Sequence, residues 1–141
     1  MNFVLDASVA LLWLVPETNP AGADYASAAL KALKESQAVV PSLLPLEAAN
    51  VVAKIESKGI VTEADSQRFI ALLGRLNIVT DQATATHALG DTVNLARRYK
   101  LSAYDAAYLE LALRTGLPLA TLDADLARAA KTAGVPIFGT L

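Results

Sequence analysis

Cysteine is absent from the 141 residues, and histidine, tryptophan and methionine occur once each. Without cysteine the chain can form neither a disulfide nor a zinc–thiolate site. The lone His87 has no second histidine at helical spacing, so it reads as a structural or exposed residue rather than a metal ligand. No Ser-His or Cys-His pairing suggests a covalent nucleophile. Nothing approaches twenty uninterrupted apolar residues, and neither a basic leader nor a small-residue cleavage site follows Met1. Neither a membrane span nor secretion is expected, which leaves the cytoplasm as the expected compartment. An excess of positive charge is also missing: 12 Lys and Arg stand against 14 Asp and Glu, a net charge of −2. A general nucleic-acid binder is usually basic, so any such role must rest on a local site or on bound metal.

What is present is apolar. Hydrophobic residues make up 54% of the chain, above the roughly 45–50% of ordinary soluble domains, which favours a globular fold with some apolar surface for association. The length suits one domain spanning residues 1–141 with a sizeable core.

Read in order, the chain alternates short apolar strands with helices. Residues 2–5 form a buried strand, and 7–15 a short apolar helix stopped by Pro16, with Trp13 a core or subunit-contact residue. Asn19-Pro20 caps a helix running to about Glu35, with Tyr25, Ala28, Ala29, Leu30 and Leu33 inward. Residues 38–40 are a second strand. Pro45 is tolerated only in a first turn, so the next helix starts near Leu43 or Leu44 and ends at Gly59. Thr62-Glu63-Ala64-Asp65 has capping-box form and opens another helix; Asp65 needs no further role. Residues 76–79 are a strand, 83–99 a helix containing Gly90, 106–115 a helix opened by Ser102 and Asp105 as a second capping box, and 117–122 a strand. A helix over 126–132 and a last strand near 136–138 complete the chain. This alternation implies a three-layer α/β/α sandwich around a short, mostly parallel sheet. Such sheets bind ligands beyond the carboxyl ends of their strands. Asp6 follows the first strand and Asp123 the fourth. If those strands are neighbours, both carboxylates emerge at one crevice, where Glu47 and Asp105 could join them from the early turns of helices.

Each of these acids has a helix-capping or dipole explanation. Yet Asp6, Glu47 and Asp105 lie among apolar residues, where a lone carboxylate is costly to desolvate. Four clustered carboxylates repel one another, so some take up protons or a cation enters. With no cysteine and one isolated histidine the donors are all oxygen, which suits Mg²⁺, with Mn²⁺ as a substitute, rather than zinc. Ions held this way can activate water for phosphodiester hydrolysis. Ser8, Asn50, Ser102 and Thr121 could orient the carboxylates by hydrogen bonds. Arg97, Arg98 and Lys100, clustered at a helix end, complement the helix dipole or contact RNA phosphates.

The segments Val4-Leu5-Asp6-Ala7-Ser8, Leu46-Glu47-Ala48-Ala49-Asn50-Val51, Leu101-Ser102-Ala103-Tyr104-Asp105-Ala106 and Ala120-Thr121-Leu122-Asp123-Ala124-Asp125-Leu126 resemble, in order and spacing, the four acidic motifs of PIN-domain ribonucleases. At this length the chain is similar to the VapC-type toxins of toxin–antitoxin pairs. The resemblance implies a PIN-like fold, Mg²⁺-dependent endonuclease cleavage of structured RNA such as tRNA or rRNA, a homodimer, and a cognate antitoxin whose tail enters the acidic groove. It carries Asp6, Glu47, Asp105 and Asp123 over as the catalytic and metal-binding acids, with Thr121 supporting the last motif. Asp125 matches the pattern less firmly, since helix capping also accounts for it.

Two other classes stay open. One is a regulatory module whose acids bind a cation or a basic peptide without catalysis. The other is a protein phosphorylated on Asp6, although Ser8 stands where such proteins carry a second acid and no lysine follows a late strand.

Overall fold

The computed structural model describes residues 1–139. Four parallel strands, β1 (Phe3–Leu5), β2 (Ala38–Val40), β3 (Ile78–Thr80) and β4 (Leu119–Ala120), form one sheet in the order β3-β2-β1-β4. β1 is the hinge of the topology: Val4 pairs with Val39 on one side and with Leu119 on the other. From β1 the chain first winds towards β2 and β3, then crosses back to β4. The strand order therefore reverses between β1 and β4, where open α/β sheets leave a crevice at their carboxyl edge.

The connections are helical. α1 (Ala7–Ala10) and α2 (Pro20–Ala32) link β1 to β2; α3 (Leu44–Ser57) and α4 (Glu63–Arg75) link β2 to β3. α5 (Thr84–His87), α6 (Val93–Tyr99) and α7 (Ala103–Thr115) link β3 to β4, and α8 (Ala124–Thr132) follows β4. Right-handed crossovers in opposite directions put the first two pairs on one face of the sheet and the later helices on the other. The α/β sandwich expected from the sequence is the fold found.

Burial explains the central elements. Phe3, Val4 and Leu5 are completely buried, as a strand covered on both faces requires. Each such side chain contributes about 1.5–3 kcal/mol relative to exposure. Trp13, expected as a core or subunit-contact residue, is partly buried against the core, and its indole N–H donates to the Ala26 carbonyl at 2.8 Å. Asn19 caps α2 through its side chain, and Thr62 with Asp65 forms the complete capping box of α4.

Several element boundaries differ from the sequence expectation. The helix expected over 7–15 ends as α-helix at Ala10 and tightens into a 3₁₀ turn over Leu11–Trp13, since Pro16 removes a donor the longer helix would need. α2 stops at Ala32, and Ala28 is exposed rather than inward. The third strand lies at 78–80 rather than 76–79. The single helix expected over 83–99 is broken by a π-helical turn at Ala88–Thr92, around Gly90. Ser102 accepts from the Asp105 N–H at 3.1 Å, but the reciprocal half of the expected capping box is not formed, so the Asp105 carboxylate is free to turn elsewhere. The fourth strand is only Leu119–Ala120, and the last strand reduces to one parallel bridge between Leu119 and Ile137. Beside it Phe138 stacks on Phe3 with ring centroids 4.4 Å apart.

Candidate active site

Asp6 sits where β1 ends, and it is 5% exposed. Its N–H donates to the Ala120 carbonyl at 3.0 Å, which ties the ends of β1 and β4 together. The carboxylate does not cap α1. Instead its Oδ2 accepts from the Ser8 hydroxyl at 2.6 Å and from the Thr121 hydroxyl at 2.8 Å. Both hydroxyls are fixed in turn: the Leu122 N–H donates to Ser8 Oγ and the Asp123 N–H to Thr121 Oγ1, each at 3.0 Å. Asp6 is thus held in one orientation by a ring built from both strand ends. Burial pushes its carboxyl above the ordinary range, and the nearby Asp123 adds to that push; the two hydroxyls pull it back. Ser8 and Thr121, named from the sequence as possible orienting residues, are the two side chains that donate to this carboxylate.

Asp123 is the N-cap of α8, its Oδ1 accepting from the Leu126 N–H at 2.9 Å. Capping and proximity to Asp6 are compatible, because a cap uses one carboxylate oxygen and leaves the other. Asp105, in the first turn of α7, is half-buried. Burial raises its proton affinity first, and then the charges of Asp123, Asp6 and Asp125, to a pKa of about 6. Glu47, in the first turn of α3, is raised by burial and by Asp6 and Asp105. Asp6 thus acts electrostatically on Glu47 and Asp105, and Asp123 on Asp6 and Asp105; among the described residues, no three of these four bring carboxylate oxygens within 4.8 Å of one another, as His87, Asp91 and Glu110 do with their ligand atoms. Among the described residues, none of the four takes part in an ion pair.

One member was missed from the sequence. The fully buried Tyr108 hydroxyl donates to Glu47 Oε1 at 2.6 Å. Burial, then the Glu47 and Asp6 carboxylates, raise the phenol far above its ordinary range, so it stays a donor. Its position three residues after Asp105, on the same helix face, was the available signal, because a tyrosine among alanines and leucines still needs a partner for its hydroxyl.

Other expected residues stand apart. Asn50 is exposed on α3, with no contact to the Asp6 ring. Asp125 is exposed and pairs with Arg128; it reaches the site only as a charge acting on Asp105. Arg97, Arg98 and Lys100 are exposed at the end of α6, where Arg97 donates to Asn94 and Arg98 lies 5.6 Å from the Tyr99 ring.

Residues 3–132 match the family profile of the PIN domain. The chain belongs to the PIN domain family. One curated relative is "Ribonuclease VapC3" of Pyrobaculum aerophilum, 29% identical over 127 residues, covering 90% of this chain and 93% of that protein. The fold also matches the crystal structure of VapBC2 from Rickettsia felis bound to a DNA fragment from their promoter, with a TM-score of 0.68 and 17% identity over 97% of both chains. A second match is PAE2754 from Pyrobaculum aerophilum, with a TM-score of 0.64 and 21% identity over 92% of this chain and 79% of that one.

This PIN domain carries a second group of ionisable residues on the α5–α7 side. His87 pairs with Asp91 at 3.2 Å and approaches the buried Glu110 at 3.9 Å. Arg114 already engages both Glu110 oxygens, at 2.8 and 3.0 Å, and bridges to Asp81 at 2.6 Å. The lone histidine is thus part of an ion-pair network in which a guanidinium supplies the compensating charge. Among the described residues the acid crevice has no such cation in ion-pair reach, and its all-oxygen donor set fits a hard divalent ion.

Proposed function

We propose that this PIN domain, acting as one unit over the whole chain, is a divalent-metal-dependent endoribonuclease of the VapC toxin kind. It cuts phosphodiester bonds in structured RNA such as tRNA or rRNA, works in the cytoplasm as a homodimer, and is held in check by a cognate antitoxin. The observation that carries the reading is the mutual electrostatic coupling of Asp6, Glu47, Asp105 and Asp123 near the strand-order reversal, with no ion pair to any of them among the described residues. The ribonuclease name of the Pyrobaculum relative supports the reaction, and the VapBC title of the Rickettsia structure supports an antitoxin partner.

In this mechanism Asp6, Glu47, Asp105 and Asp123 would hold Mg²⁺, for which Mn²⁺ could substitute. When bound, such an ion would supply positive charge for the phosphate oxygens and would lower the pKa of water. The protein's own part is orientation. Ser8 and Thr121 fix the Asp6 carboxylate, and Tyr108 favours the ionised form of Glu47. The Asp123 cap occupies Oδ1 and leaves the other oxygen of that side chain outside the cap. Burial beside β1 and β4 keeps the local dielectric low, which strengthens each of these interactions.

The direct test incubates the intact protein and Asp6→Asn with tRNA and rRNA fragments, in Mg²⁺ or Mn²⁺ and in chelator. Cleavage by the intact protein that needs the metal and is lost in Asp6→Asn is the expected result. Equal cleavage by both proteins, or none with any of these RNAs, would overturn the reading.

A further inference from the structure

The acid crevice has an apolar neighbour that the proposed chemistry does not use. A cleft of about 480 Å³ opens beside Glu47 and is lined by Leu43, Leu46, Glu47, Asn50, Val51 and Tyr104. That volume is within the range of small-ligand pockets. Tyr104 precedes Asp105 on α7 and is 66% exposed, and Leu46 precedes Glu47 on α3 and is 75% exposed. Two large apolar side chains therefore flank two of the four acids, in solvent. Asn50, one turn along α3 from Glu47, presents its exposed side-chain amide at the same cleft.

We infer that this cleft holds an unpaired nucleobase of the RNA substrate, stacked on Tyr104 with Leu46 opposite and its edge read by Asn50. The inference rests on the ribonuclease reading. Charge decides for a base. The chain is net negative, the crevice concentrates acids, and no lysine or arginine lines the cleft. Phosphate neutralisation by basic side chains, the usual source of RNA affinity, is thus missing from the cleft itself. Stacking on an aromatic ring supplies affinity without charge and tolerates any base. A side-chain amide can add a preference through paired hydrogen bonds to a base edge, adenine above all. Continuity matters as well: Glu47 belongs to both the cleft and the acid crevice, so a base in the cleft puts its own phosphate at the acids. The substrate class is then RNA with an unpaired nucleotide next to the cut, as in the loop of a hairpin.

The test separates binding from cutting. A 12-nucleotide single-stranded RNA carrying one 2-aminopurine is titrated with full-length Asp6→Asn protein in Mg²⁺, alone and combined with Tyr104→Ala or Tyr104→Phe. Binding should quench the fluorophore. Tyr104→Ala should weaken affinity about 5- to 150-fold, the range for loss of one base–aromatic stack, and Tyr104→Phe should retain it. The salt slope should be no steeper than about −2, the value for three phosphate contacts on a single strand. In otherwise intact protein, Tyr104→Ala should raise KM for a hairpin RNA more than it lowers kcat. Unchanged affinity in Tyr104→Ala, with cleavage still abolished by Asp105→Asn, would overturn the cleft assignment and leave the nuclease standing. Stacking lost in Tyr104→Ala while no RNA is ever cut would sink the nuclease and keep the cleft. Equal losses in the alanine and phenylalanine variants would point to the hydroxyl and overturn the stacking. So would weakened self-association in sedimentation with RNA affinity intact, since the patch would then cover protein.

Discussion

The Tyr108 hydroxyl donates to Glu47 at 2.6 Å, joining α7 to α3 across the carboxyl end of the sheet between residues 61 apart in sequence. This bond opposes burial and the charges of Asp6 and Asp105, all of which favour protonated Glu47. Tyr108→Phe is therefore expected to raise the proton affinity of Glu47 and to move the acid limb of the cleavage–pH profile to higher pH. It should also cost about 1 kcal/mol of stability, the ordinary worth of such a bond. Denaturant unfolding and a pH–rate profile check both; an unmoved acid limb would mean that Tyr108 serves packing alone.

Ser8 and Thr121 share one oxygen of Asp6. Ser8→Ala and Thr121→Val should each destabilise by about 1–3 kcal/mol, because a buried carboxylate oxygen loses a donor. Their sum should miss the double variant by at least about 0.5 kcal/mol, since both act on one group. Urea midpoints of the four proteins measure this coupling.

In metal-free protein the crowded acids should make stability fall as pH rises. Asp105 titrates at about 6 in the folded protein against 3.8 for an ordinary aspartate. Between those values the native state binds more protons than the unfolded one, so stability decreases with pH across this window. The full penalty stands above about pH 6 and is gone below 3.8. Asp6 and Glu47 act in the same direction. Thermal unfolding in chelator from pH 4 to 8 should show Tm declining, less steeply in Asp105→Asn; parallel curves would contradict the assignment.

Adding Mg²⁺ should reverse that penalty. At a hundred times its Kd, a ligand specific for the native state stabilises by about 2.7 kcal/mol, read as a rise in Tm near neutral pH. Asp6→Asn should lose most of this response and at least about 100-fold in cleavage, while its metal-free Tm equals or exceeds that of the intact protein.

Asp123 separates capping from chemistry. Asparagine caps a helix as well as aspartate does, so Asp123→Asn should keep the stability of α8 and lose cleavage. Asp123→Ala should lose cleavage and about 1 kcal/mol of stability as well. Similar cleavage in Asp123→Asn and the intact protein would leave Asp123 a cap only.

The strands that carry Asp6 and Asp123 were legible in the sequence because each is a short apolar run ending in an acid. Their adjacency was not, since long helical connections imply a parallel sheet but not its strand order; the pairing of Val4 with Leu119 supplies it. Glu47 and Asp105 could be located because Pro45 and Ser102 fix where their helices begin. Tyr108 was not legible as a participant, since its role depends on Glu47 arriving from another helix. Asn50 misled for a related reason: three residues from Glu47 is one helix face, but that face turns outward to the cleft beside Tyr104. The break at Ala88–Thr92 was hidden because a π turn keeps helical composition. Only Gly90 hinted at it.

The oxygen of Asp6 that meets Thr121 waits for a partner 115 residues further along the chain. A growing polypeptide carries Asp6 and Glu47 long before it carries Asp105, Thr121 and Asp123, and β1 has no β4 to lie against until then. On the ribosome the first half of the acid set is therefore exposed without the second. The acid set is completed only when residues 119–123 have joined β1, and its two halves come together in one step of folding rather than one after the other.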